Sequence, residues 1–126
     1  MKYLIAAVLS FALAGSAFAQ HKHGSTKGPN GGIVEDVAGV HAELVATGTT
    51  VTFNILDENN KSVSAKGMTG SALIVNGTDR ETIKLGAAGE SALKGEVKKA
   101  LAPKSSVTLM LKTPAGKSGQ AKYTLN

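Results

Sequence analysis

From Ile33 onward the chain alternates apolar and polar residues with a period of two, in short runs bounded by Gly, Asn and Pro. That period places successive side chains on opposite faces of a strand. Ile33 to Val37 reads as a first short strand and Val40 to Ala46 as a second. In the second, Val40, Ala42 and Leu44 share one face and His41, Glu43 and Val45 the other. Thr50 to Asp57 is the clearest case, with Val51, Phe53 and Ile55 opposed to Thr52 and Asn54. A turn at Glu58 to Lys61 precedes a weak edge strand, Ser62 to Lys66, and then Met68 to Val75. Asn76-Gly77 is a hairpin signal, because both residues tolerate positive φ, and Arg80 to Leu85 returns from it. Ala92 to Val97 follows, and Lys98 to Pro103 is expected to form one helical turn. Val107, Leu109 and Leu111 then alternate with Thr108, Met110 and Lys112, and Gln120 to Leu125 closes the chain.

Seven to nine short strands at this spacing, with no helical period, predict an all-β antiparallel fold. The expected architecture is an immunoglobulin-like β-sandwich over residues 33–126.

The first 32 residues have a different pattern. Tyr3 to Ala14 is an apolar run broken only by Ser10, preceded by Lys2 and followed by Ala17-Phe18-Ala19. A short positive start, an apolar run of about 12 residues and an A-x-A end are the marks of a cleaved secretory signal peptide. The run is short of the roughly 20 residues that a membrane-spanning helix needs, so no membrane span is expected after cleavage. Residues 1–19 are therefore expected to be removed and the mature protein to be periplasmic. Residues 20–32 are polar and Gly-rich, and read as a flexible His-containing arm ending in a tight turn at Pro29-Asn30-Gly31-Gly32.

Composition narrows the function classes. The 126 residues include no Cys, which excludes disulfides, thiolate metal sites and thiol catalysis. Aromatic residues are 4% of the chain, too few for the stacking platforms of single-stranded nucleic-acid binders. The formal net charge is +5, with the Lys residues scattered rather than clustered. No G-x-S-x-G elbow, P-loop or H-E-x-x-H motif is present, so the chain is not expected to be an enzyme.

The histidines are the main chemical asset. His21 and His23 lie in the arm, and His41 lies on a strand beside Glu43, two residues on and on the same face. Neutral imidazole binds copper, zinc and nickel, and a carboxylate on the same face supplies a second donor. His41 and Glu43 are thus a candidate fixed half-site, and His21 and His23 a candidate mobile half. Met68 and Met110 are possible soft ligands for Cu(I), and both also fit as apolar filler.

Gly28-Pro29-Asn30-Gly31-Gly32-Ile33-Val34, followed by Val40-His41-Ala42-Glu43-Leu44-Val45, resembles small bacterial periplasmic proteins related to the N-terminal region of heavy-metal efflux adaptor subunits. Ser71 to Leu85 and Gly89 to Gly95 share their hairpin and Gly-bounded loop. Asn30 departs from the pattern, standing where a His often precedes the Gly pair. The resemblance implies a link to copper, zinc or cobalt handling. Together these readings predict a periplasmic carrier of a transition-metal ion, copper as Cu(II) or Cu(I) before Zn(II), partnered by an efflux-system or other envelope protein. The alternative is a metal-free envelope adaptor that binds another protein through a sheet edge.

Overall fold

The computed structural model describes residues 26–126. They form nine strands: β1 (Thr26–Lys27), β2 (Ile33–Val37), β3 (Val40–Thr47), β4 (Thr50–Leu56), β5 (Thr69–Asn76), β6 (Asp79–Ala87), β7 (Ala92–Glu96), β8 (Ser106–Lys112) and β9 (Ser118–Thr124). All pair antiparallel in one continuous sheet, in the order β1-β2-β3-β4-β7-β6-β5-β8-β9. Among the described residues no helix is long and apolar enough to cross a membrane.

Local chemistry explains the tight connections. Ala38 and Gly39 both have positive φ, at 49° and 84°, the combination required by a two-residue hairpin loop whose twist matches its strands. The β5–β6 hairpin closes on the Asn76↔Asp79 pair, so its loop is Gly77-Thr78, one residue later than the Asn76-Gly77 signal suggested. Gly77 supplies the positive φ, 65°, at the first loop position.

β6 turns the sheet. Asp79 to Leu85 pair with β5, whereas Gly86 and Ala87 pair with Lys94 and Leu93 of β7. One strand therefore belongs to both halves of the sheet, and the halves curl toward each other over a shared core. Phe53, Ile55, Leu93, Leu109, Leu111, Val107 and Tyr123 are fully buried there, each contributing about 1.5–3 kcal/mol by leaving water. The Phe53 and Tyr123 rings meet at 5.6 Å and 59°. The Tyr123 hydroxyl crosses the core and donates to the Ala42 carbonyl at 2.8 Å. The curl also brings β2 against β9, so the sheet is a half-barrel. It meets the all-β antiparallel part of the expectation, as one curled sheet.

Two expected elements are absent. Ser62 to Lys66 is not a strand; it holds one bridge, Leu56↔Ser62. Its remaining donors reach two different segments, Val63 to the Ile55 carbonyl and Ala65 to Glu90. The alternation in this stretch reports Val63 and Ala65 packing on the core, while its contact with the end of β4 is too short to make a ladder. Lys98 to Pro103 forms no helical turn. Pro103 offers no N–H and disfavours helical φ/ψ at Ala102. The segment is instead tied down by Lys98 donating to Glu81 and Ser105 donating to the Ala102 carbonyl.

Candidate functional site

The described part of the expected arm is ordered by pairing. Thr26 and Lys27 pair with Val34 and Ile33. The turn that follows is closed by the Gly28 N–H donating to Gly32 at 2.8 Å and the Gly31 N–H donating to Gly28 at 3.0 Å. It lies flat on the outer face of β3, over Glu43. The Glu43 carboxylate accepts from the Asn30 backbone N–H at 2.8 Å, the Asn30 side-chain amide at 2.7 Å and the Gly32 N–H at 2.9 Å. Glu43 is 0% exposed. A buried carboxylate is tolerated only when its lone pairs are used, and here three donors use them.

The glycines are set by this approach. A Cβ on Gly28 would collide with the Glu43 carboxylate and sit 2.7 Å from a Val34 methyl, and one on Gly32 would collide with the Leu44 carbonyl. The sequence Gly28-Pro29-Asn30-Gly31-Gly32 is therefore a cap for a buried acid, with Asn30 supplying two of its donors.

His41 takes a different carboxylate. Its Nε2 lies 2.7 Å from Oδ1 of Asp36, with side chains 28% and 60% exposed respectively. The register places Asp36 directly across from His41 in the β2–β3 hairpin. The expected His41–Glu43 half-site is thus corrected. The two share a face, but the carboxylate beside the imidazole is Asp36, because the oxygens of Glu43 are turned to the cap. The hairpin could have shown this: a two-residue loop at Ala38-Gly39 pairs position 36 with 41. His41 Nδ1 is buried and has no hydrogen-bond partner, leaving Nε2 as the nitrogen available to a ligand.

Around this pair is a depression of about 280 Å³ lined by Thr26, Val34, Glu35, Asp36, His41, Glu58 and Asn60. Asp57 precedes it in the β4 loop. Backbone N–H groups of Lys61 and Asn59 hold its carboxyl below the ordinary 3.8, with smaller help from the Lys61 and His41 charges. The setting is anionic and open on one side, suited to a cation.

Of the other candidates, Met68 packs against the core, and Met110, 36% exposed, lies on β8. Neither lines the His41 depression. His21 and His23, the signal peptide and its cleavage point lie outside the described residues. Among the described residues no three His, Cys, Asp or Glu side chains gather closely enough to hold a metal. Comparison of the chain with protein-family models, curated proteins and solved structures gave no match.

Proposed function

We propose that the protein is an exported, periplasmic carrier of a transition-metal ion, copper before zinc, serving heavy-metal homeostasis or efflux, and that it is a binding protein without enzymatic activity. The observation that supports this reading is the 2.7 Å approach of His41 Nε2 and Asp36 Oδ1 at the rim of the depression. Two donors each about 2.0–2.1 Å from one metal, at a right angle, lie about 2.9 Å apart. The pair is therefore within a few tenths of an ångström of a bite, and the metal replaces the shared proton.

Two donors do not complete a site. Thr26 borders the same depression, and only three residues of chain lead back from it to His23. Three residues reach at most about 10 Å, enough to bring an imidazole to the rim. In this reading His41 and Asp36 are the fixed half, His23 and His21 the remaining donors, and Glu43 anchors the turn between them. A site of imidazole and carboxylate closed by a tethered segment exchanges its metal, as a carrier must.

The test is calorimetric titration of the processed protein with Cu(II), Cu(I), Zn(II) and Ni(II). His41→Ala and Asp36→Asn should each weaken binding at least about tenfold. Metal and proton compete for imidazole nitrogen, so affinity should also fall below about pH 6. Affinity no tighter than millimolar would overturn the proposal in favour of a metal-free envelope module. Unchanged affinity in both variants would move the site away from β3.

A further inference from the structure

The outer face of β6, β5, β8 and β9 carries a one-signed charge. Arg80, Lys84, Lys112 and Lys122 are exposed there, on positions alternating with the buried Ile83, Leu109, Leu111, Ala121 and Tyr123. All nine Asp and Glu residues of the chain lie elsewhere; Asp79 and Glu81, although on β6, fall on the alternate positions. Among the described residues these four cations make no ion pair. The register sets them around an apolar centre. Lys84, Ser71, Met110 and Gln120 form one cross-strand row, and Thr82, Leu73, Thr108 and Lys122 the next. Met110 is the large apolar side chain most exposed among the described residues, at 36%.

We propose that this face docks on an anionic phospholipid bilayer, with the four cations facing lipid phosphates and Met110 entering the headgroup layer. Three features select a lipid surface among polyanions. Phe53 and Tyr123, the aromatics of the described residues, are both fully buried, so the face has no stacking platform for nucleic-acid bases. Specific protein interfaces are enriched in aromatic anchors and depleted in Lys, whereas three of these four cations are Lys. A compact ammonium on a flexible stem suits mobile phosphates that present no fixed fork. Four strands about 4.8 Å apart make a broad, shallow face, matched to a plane.

The experiment is co-sedimentation of the processed protein with phosphatidylcholine vesicles, with and without added phosphatidylglycerol. The variant Lys84→Gln/Lys112→Gln/Lys122→Gln is compared with Lys27→Gln/Lys61→Gln/Lys66→Gln, an equal charge loss at exposed positions outside β5, β6, β8 and β9. Each cation near an anionic surface is worth about fivefold in affinity, so the face variant should lose about 100-fold and the control roughly threefold or less. Equal losses in the two variants, or no preference for the anionic vesicles, would overturn the proposal. Soluble polyglutamate binding as tightly as the vesicles would overturn it as well, in favour of an acidic protein partner.

Discussion

Glu43 is the residue whose role the sequence hides best. A Glu in mid-strand, on the face opposite the apolar positions, reads as solvent-exposed and free to bind. It is instead one of the most buried side chains of the protein, because a turn some 11–13 residues upstream folds over it. Removing it leaves two backbone N–H groups and an amide without their acceptor, which costs more than the hydrogen bonds alone contribute. Glu43→Ala should lower stability at neutral pH by about 2–4 kcal/mol, visible in thermal unfolding as a fall of roughly 10 °C or more in Tm. An unchanged Tm would return Glu43 to the list of free donors. His41 was legible as chemistry, and its geometry only through the two-residue loop that separates β2 from β3. Its residue type announces a ligand or a titrating group, while its true neighbour, Asp36, is fixed by a hairpin register that depends on an Ala at positive φ. Ala has a Cβ to strain there, so nothing in its identity announces that conformation.

Most strands were legible because each has one face on the core, so the period of two survives in the sequence. β4 and β8 keep the alternation in full, from Val51 to Ile55 and from Val107 to Leu111. Where burial and pairing separate, the pattern misleads. Val63 and Ala65 alternate like a strand because both pack inward, yet the stretch leaves the end of β4 after one bridge and never builds a ladder. The partnership of β2 with β9, sequence-distant ends of the sheet, leaves a trace only in a glycine. A Cβ on Gly119 would sit 2.9 Å from the backbone nitrogen of Ala38, and neither strand can move without disturbing its ladder. Gly119→Ala should therefore destabilise by about 1–3 kcal/mol. Gly86→Ala, also in a strand but with open space around it, should change stability by roughly 0.5 kcal/mol or less. Urea unfolding of the pair checks this, and equal midpoints would mean that the β2–β9 approach is looser than described.

The curl of the sheet and the charge of its surfaces have one origin. Folding a nine-stranded sheet onto itself gives a single inner face, filled by apolar side chains, and leaves two outer faces to differ. One gathers Asp36, His41 and the β4 loop acids, the other Arg80, Lys84, Lys112 and Lys122. Tyr123 holds the arrangement at its closure, reaching from β9 to the Ala42 carbonyl on β3. Burial pushes its phenol well above the ordinary 10.0, and the charges of Glu35 and Asp36 add to the shift. The folded protein thus keeps a proton that the unfolded chain releases. The sign follows: this contribution to stability is whole below pH 10.0 and is lost as the pH rises above it. In a Tyr3→Phe background Tyr123 is the one phenol left, so its ultraviolet signal reports on it alone. Phenolate absorbance should rise in a single step together with loss of the β-sheet circular-dichroism signal. Tyr123→Phe, which forfeits the hydrogen bond, should be about 1 kcal/mol less stable at pH 7, and its deficit should shrink as the pH climbs past 10.0, where the wild type alone loses the phenol's contribution. Phenolate forming while the sheet stays intact would mean that the ring reaches solvent without opening the barrel, and that closure rests on the backbone approach of β2 and β9 instead.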